Sequence, residues 1–194
     1  AATLIEEERV LTLQEGINKV DFSWKGVNID PDSIRLAILS GSEDATLLNV
    51  SYPPNEAALV WEIYSKKAIE VPVRVSYLLS NIDRLITYKA LANKLETQAG
   101  LKSFLILRNF SGEDFQQAKV LIDYGEQFEQ SISHEETKQL LLLNIEKLAI
   151  EKVWKWDSQL QAWDPDKIDV NIGIPVYYKI SNTTDNGLGR FALW

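Results

Sequence analysis

The chain has 194 residues, a formal net charge of −8 and a sequence pI of about 4.8, with neither cysteine nor methionine. The acidic balance and the scattered Lys and Arg residues argue against a nucleic-acid partner, which needs a clustered positive surface. The absence of cysteine excludes disulfides, thiol nucleophiles and Cys-ligated metals. A hydrophobic content of 45% is enough for a sizeable core.

The first residues bear on where the protein resides. The sequence starts Ala1-Ala2-Thr3, which indicates either a removed signal peptide or an expression fragment, and we favour the signal peptide. No stretch approaches the roughly 18 apolar residues of a membrane-spanning helix. We therefore expect a periplasmic, secreted or envelope-associated protein without a transmembrane segment.

Alternation of apolar and polar residues recurs along the chain, a pattern typical of strands with one buried face. The alternating runs are Val20–Trp24, Ile34–Ile38, Leu59–Tyr64, Val71–Tyr77, Leu105–Arg108, Ala118–Tyr124 and Val170–Ile180. Many short strands separated by turn sequences predict an all-β fold, an antiparallel β-sandwich built as two sandwich-like units. Pro72 falls inside one run and is expected on an edge strand or at a bulge.

The segment Leu105–Gly125 predicts a β-hairpin. Its two alternating runs flank Ser111-Gly112, a turn signal because glycine adopts positive φ without steric cost. Glu113 and Asp114 would then lie in solvent at the hairpin tip.

Two features concern the organisation of the second half. The polar stretch 93–100 predicts a boundary between an N-terminal domain, residues 1–93, and a C-terminal domain, residues 94–194. Ser133–Glu136 has the form of a helix capping box, but four consecutive leucines follow it at 140–143. We predict a strand for 134–148, with a helix of three turns as the alternative.

Several short motifs resemble those of one bacterial family. The matching pieces are Asn109–Phe115 with Ala118 and Gly125, His134–Lys138, Glu151–Trp154, Val176–Tyr178, Asn182 and Asn186–Gly189. By these the second half is similar to the family called domain of unknown function 4139, which includes the mucoidy-inhibitor-A-like proteins. The stretch containing Gly16, Val20 and Asp30–Ile34 resembles the segment that precedes this domain.

The resemblance implies an exported or envelope-associated β-rich protein and no catalytic residues. Family members usually continue past the Leu188-Gly189 motif with a Leu-Pro-Gly-like turn and more strands, whereas this chain stops at Trp194. It is either a natural short form or lacks a C-terminal portion, which would leave an unpaired edge strand near 176–180.

No group of residues forms a recognisable catalytic or cofactor site. His134 is the single histidine and lies in a polar, acidic stretch, which favours a surface histidine over a catalytic one. Asp30-Pro31-Asp32 and Asp164-Pro165-Asp166 could offer oxygen atoms to calcium, but each matches an ordinary turn sequence. We therefore expect no catalytic residues, no metal and no cofactor.

Three late tryptophans are the candidate ligand platform: Trp154, Trp156 and Trp163. Trp154 and Trp156 would share one face of an extended strand, and such a face can stack against sugar rings. The competing interpretation, which we favour, is packing in a core or between domains.

These observations favour a non-enzymatic module that binds or scaffolds other macromolecules, either proteins or a cell-envelope glycan. The alternative is a carbohydrate-binding module using the three tryptophans, and a carboxylate-based hydrolase is a remote third hypothesis. The oligomeric state does not follow from the sequence.

Overall fold

The computed structural model describes residues 2–122, 127–155 and 174–189. This part of the chain is all β, as predicted, with two short 3-10 turns at Pro31–Ser33 and Thr184–Asn186. The strands are β1 Ala2–Leu13, β2 Gly16–Ser23, β3 Arg35–Ile38, β4 Ala45–Ser51, β5 Ala58–Ser65, β6 Ile69–Ser80, β7 Ile82–Ala92, β8 Gln98–Asn109, β9 Phe115–Leu121, β10 Gln127–Ile132, β11 Thr137–Ala149, β12 Glu151–Trp154 and β13 Val176–Lys179.

The chain forms two compact units. Unit 1 comprises Ala1–Arg84, Leu107–Val120 and Phe128–Lys138, and unit 2 comprises Leu85–Ile106, Leu121–Gln127 and Gln139–Trp194. The chain thus returns to the first unit twice after leaving it. The predicted domain division at residue 93 assumed a single crossing and stays a prediction.

Unit 1 contains two three-stranded antiparallel sheets, with strand orders β1-β6-β3 and β2-β5-β4. Strand β6 supplies alternate buried residues from Val71 to Leu79, and β5 supplies Leu59, Trp61 and Ile63. All of these belong to one hydrophobic cluster. The two sheets therefore bury their inner faces against each other, which is the sandwich arrangement.

An aromatic group lies within this core. The Phe22 ring lies 5.6 Å from that of Trp61, 5.8 Å from that of Tyr77 and 6.2 Å from that of Trp24, measured between centroids. All three pairs are tilted, as the charge distribution of aromatic rings prefers. Large rings on alternate positions of β2, β5 and β6 therefore fill the interior of unit 1.

The expectation that Pro72 lies on an edge strand or at a bulge is wrong. Pro72 is opposite Val10 in β6, the central strand of its sheet. Its carbonyl oxygen accepts the Leu39 N–H at 2.9 Å, just beyond the end of β3 at Ile38. In an antiparallel ladder the N–H and C=O of one residue point to the same side. The N–H that Pro72 lacks would therefore point to the side where β3 has already ended.

The predicted hairpin of Leu105–Gly125 is also wrong. Strand β8 lies between β11 and β7, whereas β9 pairs with β10. The intervening residues instead belong to unit 1, where the Phe110 N–H donates to the Asn81 carbonyl and the Asn28 N–H donates to the Ser111 carbonyl. Residues 123–126, which include the predicted end of the hairpin, lie outside the described part of the chain.

Residues 137–149 form strand β11, so the strand predicted for 134–148 is confirmed from Thr137 onward, and residues 134–136 belong to a turn. Part of the capping box nevertheless forms, because the Ser133 N–H donates to Glu136 Oε2 at 2.8 Å. Glu135 has φ of +63°, however, which is outside the right-handed helical region. The Ser133–Glu136 motif therefore makes a tight turn and not the first turn of a helix.

Unit 2 contains the sheet β11-β8-β7 and the antiparallel pair β12–β13. One buried cluster of this unit is formed by Leu101, Leu148 and Leu188, with Leu143, Ile145 and Ile180 packed against it. The surface of this unit carries exposed aromatic side chains, which bear on function.

Candidate functional site

The β12–β13 ribbon exposes a tryptophan beside charged groups. Trp154 is 59% exposed and is opposite Val176, while Lys152 is opposite Tyr178. Because side chains two residues apart in a strand share a face, these four lie on one face of the ribbon. Together with Glu96, which contacts two of them, they define what we call the Trp154 face.

Glu96 reaches this face from the turn between β7 and β8. Its N–H donates to the Asn93 carbonyl at 3.0 Å, and the Asn93 side chain accepts the Thr97 N–H at 3.0 Å. Glu96 itself has φ of +54°, a left-handed conformation that glycine or asparagine adopts more readily. A carboxylate at this strained position is explained by the contacts that its side chain makes.

The Glu96 carboxylate accepts hydrogen bonds from the Lys152 ammonium and from the Tyr178 hydroxyl, one on each oxygen. The hydrogen bond from Lys152, with that from Tyr178, lowers the pKa of Glu96, and the same contacts raise the pKa of Lys152 and of Tyr178. These groups therefore keep their charges at neutral pH, the carboxylate negative and the ammonium positive.

Lys152 also contacts the indole, because its Nζ lies 5.2 Å from the Trp154 ring centroid. A cation over a ring face at this distance is attracted by the negative charge of the π-system. The Trp154 face thus combines an exposed apolar ring with a fixed donor and a fixed acceptor. Such a combination suits a ligand that is apolar on one side and hydroxylated at its edges.

Of the three tryptophans predicted to form a platform, only Trp154 lies in the described part of the chain. Trp156 and Trp163 fall within 156–173, outside the described residues, so a flat surface of two or three rings stays a prediction. The interpretation favoured from sequence was packing in a core or between domains. Trp154 is 59% exposed and so does not lie in a core, whereas packing between domains stays a prediction. Sequence reasoning missed Glu96, which is distant in sequence from both of its partners.

A buried polar group in unit 1 surrounds Asn109, the first residue of the Asn109–Phe115 motif. Asn109 is fully buried, and its amide donates to the Glu113 carbonyl at 2.7 Å. Its Oδ1 accepts the N–H of the buried Ser111 at 3.1 Å and the hydroxyl of Ser111 at 2.7 Å. The serine and the asparagine therefore hold the backbone of the loop 110–114.

His134 takes part in the same arrangement as a structural residue. Its Nδ1 accepts the Gly112 N–H at 3.1 Å, and its own N–H donates to Asp114 Oδ1 at 2.6 Å. Ser111 gives its hydroxyl proton to Asn109 and not to the imidazole. These contacts fix a loop and do not form a Ser–His–Asp arrangement.

A second charged cluster lies in unit 1 and was not predicted. Glu7 accepts the Tyr77 hydroxyl at 2.6 Å and the Arg9 guanidinium at 2.6 Å. Arg9 in turn lies over the Phe22 ring, 5.5 Å from its centroid. Burial and then the nearby Glu7 carboxylate raise the pKa of Glu113.

The first Asp-Pro-Asp sequence forms a turn, as predicted. Asp30 Oδ1 accepts the Asp32 N–H at 3.1 Å, and Pro31 starts a single 3-10 turn. The second sequence, 164–166, lies outside the described residues. Across the residues that the structure describes, no group of three or more His, Asp or Glu side chains is arranged to hold a metal ion.

No helix in the described ranges has the length and apolarity needed to cross a membrane. Comparisons with protein-family models, with curated proteins and with solved structures find no match for this chain. The resemblance to the domain of unknown function 4139 family therefore stays a prediction.

Proposed function

We propose that this chain is a non-enzymatic binding module of an exported or envelope-associated protein, and that the Trp154 face is its ligand surface. The observation that supports this proposal is the 59% exposure of Trp154 beside Glu96 and Lys152. Leaving a large ring in water forgoes the free energy of its burial, and exposed aromatic residues with polar neighbours are typical of interaction surfaces. The expected membership in the domain of unknown function 4139 family agrees with this role.

A carbohydrate is the ligand class that we propose for this face. The axial C–H groups of a sugar ring make an apolar surface that stacks on an indole, while its hydroxyls need donors and acceptors at the edge. Lys152 supplies a donor, and the Glu96 carboxylate keeps lone pairs beyond the two already engaged. A cell-envelope glycan combines these features, and a protein partner is the competing ligand.

The test is a glycan array probed with the wild-type chain and with Trp154→Ala. The matched control is Tyr64→Ala, which removes an exposed aromatic ring from β5 in unit 1. We expect wild-type binding to a subset of glycans, at least tenfold weaker binding by Trp154→Ala, and no change for the control. Binding that survives loss of the indole, or no binding to any glycan, would refute the carbohydrate proposal.

A further inference from the structure

The Trp154 face holds one cation and one anion, and the two are paired with each other. The Lys152 ammonium donates to one oxygen of the Glu96 carboxylate, and the Tyr178 hydroxyl donates to the other. The remaining members of the face, Trp154 and Val176, are uncharged. The face therefore carries no net charge at neutral pH. Lys152 and Glu96 nevertheless keep 29% and 38% of their side-chain surface accessible, so a ligand at the indole can reach both.

Lys152 without its partner would attract an acidic ligand to the indole. Its Nζ lies 5.2 Å from the Trp154 ring centroid, so a sugar that contacts this ring lies close to the charge. An unpaired ammonium binds carboxylate and phosphate groups strongly. Glu96 removes this attraction, because its carboxylate already accepts a hydrogen bond from the ammonium and repels a second anion at the same place.

The backbone at Glu96 indicates that the carboxylate is there for its contacts. Its φ of +54° lies in the left-handed region, where a side chain costs conformational energy. Glycine adopts this conformation without steric cost, yet it would leave Lys152 and Tyr178 without their acceptor. Strained backbone positions of this kind concentrate at functional sites.

An ion pair on the other face of the same ribbon provides the comparison. Glu151 is opposite Lys179, with 3.4 Å between Oε2 and Nζ, on the face that points away from Trp154. Both side chains are 68% exposed, as is typical of a solvated pair that contributes little. Removing the Glu151 charge therefore changes the total charge of the ribbon without changing the surroundings of the indole.

We propose that Glu96 selects ligands by charge at the Trp154 face, so that the sugar unit stacked on Trp154 is uncharged. This inference rests on the carbohydrate role proposed above. An acidic sugar would bring its carboxylate beside Glu96, and an amino sugar would bring its ammonium beside Lys152, so each meets a like charge. The formal net charge of −8 further disfavours acidic ligands. The restriction applies to the stacked unit, because charges more than about 10 Å away are largely screened by salt.

Binding to matched neutral and acidic oligosaccharides tests this selection. The probes are β-linked oligomers of glucose and of mannose, each paired with the uronic-acid oligomer of the same linkage, in which a carboxylate replaces the hydroxymethyl group. We expect the wild type to bind the neutral member of a pair at least about tenfold more tightly than the acidic member. Glu96→Gln keeps the side-chain length and removes the charge, so it should bind the acidic member at least about tenfold more tightly than the wild type does. Salt at about 0.5 M should abolish that gain.

Two further variants separate the local charge from other effects. Glu151→Gln removes the same charge from the opposite face and should keep the wild-type preference. Glu96→Gln combined with Lys152→Gln should gain no binding to the acidic member, because no ammonium remains on the face. An equal gain in Glu96→Gln and Glu151→Gln, or no gain in Glu96→Gln, would overturn the role given to Glu96.

The wild type and Trp154→Ala distinguish a failure of charge selection from a failure of the carbohydrate role. Wild-type binding that is equally tight for both members of a pair, and that Trp154→Ala abolishes, overturns charge selection and leaves the carbohydrate role standing. No wild-type binding to any of these probes, or binding that Trp154→Ala leaves unchanged, overturns both.

Discussion

Removing the Asn109 side chain should destabilise unit 1 more than its size suggests. Asn109→Ala deletes the acceptor of the Ser111 hydroxyl and the donor to the Glu113 carbonyl. Ser111 is itself fully buried, so water cannot replace the lost partner without a rearrangement. A buried polar group left without a partner costs about 1–3 kcal/mol. The hydroxyl and the N–H of Ser111 both lose Asn109 Oδ1 as their acceptor and are two such groups, so the expected loss in the free energy of unfolding is roughly 3 kcal/mol.

Urea denaturation followed by tryptophan fluorescence measures this loss. The free energy of unfolding falls by about 2 kcal/mol per M of urea, so the expected loss lowers the urea concentration at the unfolding midpoint by roughly 1.5 M. The matched control is Asn144→Ala on the exposed side of β11, where the expected change is within about 0.5 kcal/mol. A decrease below about 1 kcal/mol for Asn109→Ala would refute the structural role given to this network.

Three further substitutions test other parts of the structure. Gly112→Ala would place a Cβ 2.1 Å from the Gly26 carbonyl oxygen, so in urea denaturation it should lose more stability than Gly16→Ala, which has a similar positive φ but nothing within 4 Å. Thermal unfolding should show a loss of about 3 kcal/mol for Ile63→Ala in the core, against less than about 0.5 kcal/mol for the exposed Ile17→Ala. Burial raises the pKa of Glu113 in the folded state above its value in the unfolded chain, so folding favours the protonated carboxyl. The stability that the protonated carboxyl gives is lost as the pH rises through the raised pKa. Urea denaturation should therefore show Glu113→Gln gaining stability relative to the wild type between pH 4 and 7, and no gain would contradict the burial of this carboxyl.

The strands predicted correctly are those whose environment follows a simple period of two. Strands β5 and β6 each place alternate residues in the core of unit 1, so their sequences alternate clearly. Strand β1 was missed because Glu7 and Arg9 occupy inward positions, where Tyr77 and Phe22 give them partners. A polar residue with a specific partner breaks the alternation without breaking the strand.

The hairpin error has a different origin. The turn residues Ser111 and Gly112 were identified correctly, but a turn signal does not specify which strand the chain meets next. Here the loop is held by Asn28 and Asn81, which come from much earlier in the sequence. Gly112 is required because another backbone, that of Gly26, passes too close for a Cβ.

The candidate site was predictable only in part, because one of its residues is marked by the sequence and another joins it only through the fold. Trp154 stands out by composition and by its position near the end of a strand. Glu96 does not, because it is separated by 56 residues from Lys152 and by 82 from Tyr178. Its carboxylate became part of the site only through the register of β12 with β13 and the conformation of the 93–97 turn.

Fluorine NMR of the chain labelled with 5-fluorotryptophan tests the central claim, that the Trp154 face binds a glycan. The chain has six tryptophans, and Trp154→Phe assigns the resonance of interest. On addition of soluble peptidoglycan fragments, a probe for envelope glycan, the Trp154 resonance should shift in a saturable way while those of the buried Trp24 and Trp61 stay in place. A saturable shift of the other resonances that leaves Trp154 unchanged, or no shift at all, would contradict the claim.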